Sequence, residues 1–235
     1  MSRAFVLYGR NPIREALRAG RRPVHRVWAT RGAAAEPWLR DVEVLHARPE
    51  EIAARCGSEA HQGLCAEAAP YPYAEPGELL ARPDPLLVAL DELQDPQNLG
   101  AICRTAECVG ADGVVIPERR SAEVTPAVCK ASAGAVEHLR VARVRNLADF
   151  LSDVKAAGCW CYGAAADSAA GYLEPDYGGG CVLVIGAEGR GLRPRVASAC
   201  DQLVALPMHG HVQSLNASAA AAALLYGILQ RRARP

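Results

Sequence analysis

The amino-acid sequence predicts an α/β protein that joins a small N-terminal module to a larger domain built on a mostly parallel sheet. From Leu86 onward, continuous apolar runs typical of buried parallel strands alternate with helical patterns. Before them, five prolines between Pro70 and Pro85 indicate a semi-stiff linker, because proline fixes φ and has no amide proton to donate. A long surface loop inside one domain is the alternative interpretation of this segment.

These patterns divide the chain into residues 1–70, 71–85 and 86–235, as an N-terminal α/β domain, a linker and a C-terminal domain. The N-terminal pattern predicts strands at 5–8, 24–30, 42–46 and 63–68, and a helix at 49–56. A further helix begins at Asn11 as its cap, with Pro12 in its first position and Gly20 just past its end. The C-terminal pattern predicts strands at 86–90, 113–116, 139–144, 159–164, 182–185 and 203–206, and helices near 99–109, 125–133, 147–157, 194–200 and 216–232.

The charge of the chain is balanced overall but unevenly distributed. Basic and acidic residues number 26 each, and the basic ones are almost all arginine, with only two lysines. This excess reflects either GC-rich coding or selection for guanidinium groups that match phosphates. Between Met1 and Arg31 there are eight arginines and one acidic residue, Glu15. The N-terminal segment is therefore basic, and the rest of the chain is acidic by the same amount.

The nine cysteines are odd in number and contain no C-x-x-C pair, which argues against a zinc site or a disulfide framework. Reduced cysteines used as small apolar core residues fit better, and they predict a cytoplasmic protein. The N-terminus has no apolar run typical of a signal peptide, and the most apolar stretch, 217–229, is too short to cross a bilayer. We therefore expect neither a membrane nor a metal partner.

Two of three polar loops after predicted strands combine glycine with functional side chains, at the edge where parallel sheets bind ligands. In the first loop, Asn98 suits a helix cap, and Gly100 lets another backbone or a ligand come close. Arg104 lies one to two helical turns after Asn98, where it either faces a common pocket with Asn98 or is a solvated arginine. In the second, residues 186–191 read G-x-x-G-x-G around Glu188, which is not the dinucleotide fingerprint. Its three glycines directly after an apolar strand indicate a backbone that lies against a ligand, and a plain tight turn is the alternative interpretation.

The third loop leads into the last, alanine-rich helix, with Asn216 in the cap position. His209 and His211 lie in it, but without a third ligand they make a poor metal site.

Taken together, the three loops resemble the SpoU/TrmH branch of the SPOUT superfamily of S-adenosylmethionine-dependent RNA methyltransferases. The pattern N-x-G-x-x-x-R-T-A occupies 98–106, G-A-E-G-x-G occupies 186–191, and S-L-N-x-S occupies 214–218. The resemblance covers about 86–232. Residues 1–70 resemble the substrate-binding module of that family, with Y-G-R-N-P at 8–12 and H-Q-G at 61–63. One departure is the segment 209–213, which is more polar than is common before S-L-N.

The resemblance implies a C-terminal α/β domain with a mostly parallel sheet and a trefoil knot. It further implies a homodimer with the active site close to the subunit interface. S-adenosylmethionine is the implied cofactor, held in a bent shape largely by backbone groups. The implied cofactor-binding residues are Gly186, Ala187, Gly189, Leu206, Met208, Ser214 and Leu215.

The implied reaction is 2′-O-methylation of a guanosine ribose in 23S rRNA. The implied catalytic positions are Asn98, Arg104, Glu188, Ser214 and Asn216. A guanidinium is a poor base, so we expect Arg104 to hold an RNA phosphate and to stabilise the developing alkoxide. We expect the basic N-terminus to contact RNA phosphates through Arg10, Arg14, Arg18, Arg21, Arg22 and Arg26. The alternatives are tRNA or another rRNA nucleotide as substrate, a non-catalytic ribosome-assembly protein, and a nucleotide-dependent enzyme acting on a small molecule.

Overall fold

A computed structural model describes residues 5–211 and 214–233, and it contains two sheets. The N-terminal sheet has four strands, with the order β1-β4-β2-β3. The elements of this part are β1 (Phe5–Tyr8), α1 (Arg10–Ala19), β2 (Val24–Ala29), β3 (Val44–His46), α2 (Pro49–Cys56) and β4 (Leu64–Ala68). Strand β4 pairs antiparallel with both β1 and β2, and β2 pairs parallel with β3.

The C-terminal sheet has six strands, all parallel, in the order β10-β8-β9-β5-β6-β7. Its strands are β5 (Leu86–Asp91), β6 (Gly113–Pro117), β7 (Arg140–Val144), β8 (Trp160–Ala164), β9 (Cys181–Gly186) and β10 (Gln202–Val204). The helices that follow β5 in the chain are α4 (Pro96–Cys108), α5 (Pro126–Ala131), α6 (Leu147–Ala156), α7 (Pro194–Ala199) and α8 (Ala217–Arg232). The predicted α/β class with a mostly parallel sheet is confirmed. Strand β10 ends at Val204, two residues before the predicted end.

The proline-rich segment between the two sheets packs against the C-terminal domain. Tyr71 is buried, and its hydroxyl donates to the carbonyl oxygen of Leu139 at 2.6 Å. Ala74 forms a parallel bridge with Ala142 of β7. A short helix, α3 (Pro76–Leu80), then buries Leu79 completely. The segment is therefore held in place by contacts on its side chains as well as by the stiffness of its prolines.

Two helix starts differ from the sequence prediction. Helix α1 begins at Arg10 with Gly9 as its N-cap, so Asn11 does not cap it and Pro12 is its third residue rather than its first. Gly20 lies just past its end, as predicted, and has the left-handed conformation. Helix α4 begins at Pro96, and the carboxylate of Asp95 caps it by accepting from the amides of Gln97 and Asn98. The prediction that Asn98 is the cap was therefore wrong. An aspartate before a proline is the stronger start signal.

A buried ion pair joins the N-terminal module to the C-terminal domain. Arg22 is 5% exposed and Glu137 is 1% exposed. The Arg22 guanidinium donates to both carboxylate oxygens of Glu137, with Nε to Oε2 at 3.1 Å, and also to the carbonyl oxygen of Ala69 at 2.9 Å. It also lies 4.4 Å from the ring centre of Phe5. The pair is fully surrounded by protein, so each charge depends on the other.

Six of the nine cysteines are buried, as expected for small apolar core residues. Burial raises the pKa of the Cys103 thiol to about 12, so it stays protonated. Cys108, at the end of α4, is exposed. No helix within the described residues is long and apolar enough to cross a membrane.

Replacing Arg22 with Met is expected to lower the free energy of unfolding by about 3–5 kcal/mol, because Glu137 is left buried without a partner. The measurement is equilibrium urea denaturation at neutral pH. The double variant Arg22→Met, Glu137→Leu is expected to recover most of the loss. Arg26→Met, on an exposed arginine of β2, is the control and is expected to have little effect. Equal losses for the single and the double variant would contradict this account.

Candidate active site at the carboxyl edge of the parallel sheet

The three predicted loops converge on one hydrogen-bonded triangle. Asn98 Nδ2 donates to Glu188 Oε1 at 2.7 Å. Asn216 Nδ2 donates to the same oxygen at 2.6 Å and lies 3.0 Å from Asn98 Oδ1. These residues are 90 and 118 positions apart in the chain, so the fold brings them together. Two amides bind one carboxylate oxygen, and Glu188 Oε2 has no partner among the described residues.

Asn98 and Asn216 both lie at the start of a helix, and this explains why their side-chain amides point at the Glu188 carboxylate. Asn216 caps α8, as predicted, and its Oδ1 accepts from the amides of Ser218 at 2.9 Å and Ala219 at 3.3 Å. With the oxygen used in this way, the Nδ2 group is directed toward Glu188. Asn98 lies in the first turn of α4, after the Asp95 cap, and is 5% exposed.

The turn after β9 depends on glycine because the backbone folds back on itself. Ala187 and Gly191 form an antiparallel bridge, and the amide of Gly191 donates to the carbonyl oxygen of Ala187 at 2.9 Å. A Cβ on Gly186 would overlap the backbone of Gly191. Gly189 and Gly191 have φ of 73° and 65°, which side-chain-bearing residues rarely adopt. The glycine spacing therefore shapes the turn that presents Glu188.

A buried carboxylate that the sequence analysis missed anchors the end of this turn. Asp91 is 1% exposed and accepts from the backbone amide of Arg193 at 2.8 Å and from its Nε at 2.8 Å. Arg193 Nη2 lies 2.6 Å from the same carboxylate, and its Nη1 lies 3.2 Å from Glu92. The hydrogen bond that the Arg193 guanidinium donates to Asp91 raises the pKa of the guanidinium. An aspartate that ends an otherwise apolar buried strand was the available signal.

A cavity of about 530 Å³ lies between the loops that follow β8, β9 and β10. Its wall is largely apolar and includes Ile185, Leu192 and Leu224, and Asp167 lies at its lining. All the predicted cofactor-binding residues line it, namely Gly186, Ala187, Gly189, Leu206, Met208, Ser214 and Leu215. Glu188 lines it too, which places the hydrogen-bonded triangle beside the cavity.

Two predicted catalytic residues take no part in the described hydrogen bonds of the triangle. Arg104 is exposed on α4, two turns after the helix start, with no described hydrogen bond. Ser214 lines the cavity but makes no described hydrogen bond. Residues 212 and 213, part of the polar departure noted above, lie outside the described residues. Across 5–211 and 214–233, no cluster of three or more potential metal ligands is present.

The structure corrects the predicted RNA-binding set for two arginines. Arg22 is buried in its pair with Glu137 and has no surface to offer a phosphate. Arg21 is directed inward and donates to the carbonyl oxygens of Pro72 and Leu139. The remaining members are accessible, with Arg14 and Arg18 paired to Glu15, Arg10 paired to Glu36, and Arg26 exposed on β2.

Comparison with known families decides the identity of this arrangement. The profile of the SpoU rRNA Methylase family matches residues 85–226, which is more than half of the chain. A second profile, for the substrate-binding part of RNA 2′-O ribose methyltransferases, matches residues 6–74. The chain belongs to the SpoU/TrmH family of RNA methyltransferases.

Individual relatives agree with this assignment. A protein of Bacillus subtilis, provisionally named a TrmH family tRNA/rRNA methyltransferase, is 38% identical over 236 residues, covering 95% of this chain and 94% of its own. The crystal structure of the SpoU methyltransferase AviRb from Streptomyces viridochromogenes with the cofactor AdoMet has a TM-score of 0.83 at 27% identity, covering 98% of this chain and 91% of its own. The TrmH/SpoU tRNA modifying enzyme of A. aeolicus has a TM-score of 0.57 at 28% identity, covering 66% of this chain and 80% of its own.

This SpoU/TrmH chain is an RNA methyltransferase whose cofactor is S-adenosylmethionine. The cavity fits that cofactor in size and chemistry. Its volume lies within the range of pockets that enclose drug-sized ligands. Its apolar wall suits a purine, and the exposed backbone of 186–191 offers polar groups without bulky side chains.

Replacing Asp91 with Asn is expected to weaken S-adenosylmethionine binding about 10-fold, because losing hydrogen bonds to a charged group costs about 1.5–3 kcal/mol and loosens the 186–192 turn. Isothermal titration calorimetry measures the effect. Asp149→Asn is the matched control, since Asp149 pairs with Arg195 of α7 at 2.7 Å but both side chains are exposed. Equal affinity of the two variants for S-adenosylmethionine would contradict the anchoring role of Asp91.

Proposed function

We propose that this protein transfers a methyl group to the 2′-hydroxyl of a guanosine ribose in 23S rRNA. The observation that carries the proposal is the Asn98–Glu188–Asn216 triangle beside the cofactor-sized cavity. The three loops were singled out separately in the sequence, and their polar side chains meet at one carboxylate. A non-catalytic copy of the fold would be expected to have lost at least one of the five polar positions, and all are present, namely Asn98, Arg104, Glu188, Ser214 and Asn216.

The protein's task in this reaction is to align the nucleophile and remove its proton. Bound S-adenosylmethionine would supply an electrophilic methyl carbon: the new O–C bond forms as the C–S bond breaks, the cofactor leaves as a neutral thioether, and the hydroxyl proton is released to water. In-line displacement then depends mainly on orientation, which is worth up to about 7–11 kcal/mol in well-aligned systems. Asn98 and Asn216 hold Glu188 Oε1, and its second oxygen remains available to orient an arginine or the ribose hydroxyl. Ser214, at the cavity wall, is placed to contact ribose or the cofactor.

Arg104 acts from outside the cavity in this proposal. Its guanidinium is exposed and has no described partner, so it is free to hold an RNA phosphate and to stabilise the developing alkoxide. A guanidinium is a poor base, so Arg104 is not the proton acceptor in this proposal.

The choice of 23S rRNA rests on the basic N-terminal module and on the overall likeness of the chain to rRNA methylases. The second candidate is tRNA, which is favoured by the tRNA/rRNA names of its relatives and by the tRNA modifying enzyme of A. aeolicus. Labelled methyl transfer to protein-free 23S rRNA, 16S rRNA and bulk tRNA separates the two. The modified nucleotide is mapped by its resistance to alkaline cleavage. Label confined to tRNA would keep the reaction and identify tRNA as the substrate, and label in no RNA would overturn the proposal.

Arg104→Ala is expected to reduce methyl transfer about 100- to 1,000-fold, the loss typical of removing one group that stabilises a developing oxyanion. Arg104→Lys is expected to recover only part, because an ammonium lacks the planar fork of a guanidinium. Affinity for S-adenosylmethionine, measured by calorimetry, is expected to stay unchanged because Arg104 lies outside the cavity lining. Arg195→Ala, on exposed α7, is the control. Full activity of Arg104→Ala would contradict the role.

The knot and the dimer implied by the resemblance, and the cytoplasmic location predicted from the cysteines, also belong to the proposal. After β10 at one edge of the sheet, α8 returns to pack against α4 and β9, which supports a threaded C-terminal segment. Helix α8 also leaves Tyr226 and Leu229 exposed at 49% and 38%, and Leu173 is exposed at 45%. A second copy of the chain is the proposed occupant of this apolar surface.

Tyr226→Glu is expected to shift the protein from dimer to monomer, because it places a charge in the apolar surface of α8. Light scattering after size-exclusion chromatography measures the mass. Leu45→Glu, at an exposed leucine of β3 away from α8, is the control and is expected to leave the dimer intact. A monomeric wild-type protein would refute this assembly.

A further inference from the structure

The two motifs at the ends of the N-terminal module meet at one point, although neither takes part in the active site. The first motif, Tyr8–Pro12, begins at the last residue of β1, and the second, His61–Gly63, precedes β4. The amide of Gly9 donates to the carbonyl oxygen of Leu64 at 3.1 Å, which joins the two segments. The ring Nδ1 of His61 accepts from the amide of Gly63 at 3.0 Å and fixes the turn between them.

Gln62 is the centre of this junction. Its backbone lies in the left-handed region at φ 54°, and its side chain is directed to the C-terminal domain. The Oε1 atom accepts from the backbone amide of Arg10 at 3.1 Å and from Lys130 Nζ at 2.9 Å. Both neighbours are donors, so the amide oxygen must face them. The Nε2 group therefore keeps both of its protons for another acceptor.

Lys130, from helix α5, brings a cation to the junction without a carboxylate. Gln62 is the only described hydrogen-bond partner of its ammonium, and burial lowers the pKa of that group. The other lysine of the chain, Lys155, lies 3.8 Å from Asp201. A partly desolvated cation without a counter-charge is unfavourable until an anion reaches it.

The backbone at Gly9 leaves space for the Lys130 ammonium because glycine has no Cβ. Gly9 has φ of 90°, and a Cβ at this position would overlap Lys130 Nζ and lie 3.1 Å from Gln62 Oε1. A compact ammonium fits this space with two protons still to donate, whereas a planar guanidinium is larger. In a chain that otherwise uses arginine for nearly all its cations, the lysine matches the shape of the site.

Arg10 completes the group of donors. Its guanidinium is half exposed and pairs with Glu36 at 2.8 Å through Nη1, which leaves other N–H groups free. Within the described residues, Glu36 is the one carboxylate paired with this cluster. The three side chains come from both parts of the chain, so a ligand bound here would contact both.

We infer that Lys130, Gln62 Nε2 and Arg10 bind a backbone phosphate of the RNA substrate at the junction of the two parts. This inference rests on the proposed RNA methyltransferase function and adds a contact point between the N-terminal module and the catalytic domain. The bound phosphate supplies the negative charge that Lys130 lacks. It also fixes the path of the RNA as it passes from one part to the other.

The test is the salt dependence of binding by the full-length protein to a protein-free 23S rRNA transcript. For Lys130→Gln, the slope of log K against log salt is expected to become less steep by about 0.7–0.9, the value for one lost phosphate contact. Melting temperature and S-adenosylmethionine affinity are expected to remain those of the wild type. Lys155→Gln is the matched control and is expected to keep the full slope. An unchanged slope for Lys130→Gln, with or without a lower melting temperature, would overturn the inference and leave the junction a structural role only.

Lysine footprinting of the wild-type protein provides a second measurement that does not depend on how a variant folds. Acetylation is followed by mass spectrometry with and without the 23S rRNA transcript. RNA is expected to protect Lys130 and to leave Lys155 reactive. Binding of the transcript without protection of Lys130 would overturn this inference alone. Absence of binding by the wild-type protein to the 23S, 16S and tRNA pools would overturn the proposed function as well.

Discussion

The buried carboxylate of Asp91 is the constraint on which the active site depends. It ends β5, pairs in register with Gly186 at the end of β9, and accepts both backbone and side-chain hydrogen bonds from Arg193. The turn between Gly186 and Arg193 is therefore fixed at both ends. Glu188 lies inside that turn, and the two amides that hold it come from the starts of α4 and α8. Without the anchor, the triangle would lose one of its three supports.

Much of this site was predictable because its signals are local. Glycines at 186, 189 and 191 indicated a backbone-dominated turn, and Asn216 indicated a helix cap. The parallel sheet followed from continuous apolar runs, and the carboxyl ends of its strands indicated where the loops would gather. The cap of α4 was the local error, since Asp95 before Pro96 outcompetes Asn98.

Long-range partners were not predictable in the same way. Arg193 lies 102 residues from Asp91, and Arg22 lies 115 residues from Glu137. Nothing near Arg22 in the chain distinguishes it from Arg26, yet one is buried on a carboxylate and the other is exposed. A run of basic residues indicates where positive charge is concentrated, but the tertiary fold decides which charges remain available. The basic N-terminus therefore serves the internal packing of the protein as well as its surface.

The cysteines give the molecule a practical property. Cys103 and five others lie in the interior, whereas Cys108 is exposed at the end of α4, one helical turn beyond Arg104. Residues four apart on a helix lie on the same face. A maleimide dye therefore has a favoured attachment point that is close to Arg104 without replacing it. Fluorescence from that position would follow the arrival of a macromolecule at α4 in real time and under turnover conditions.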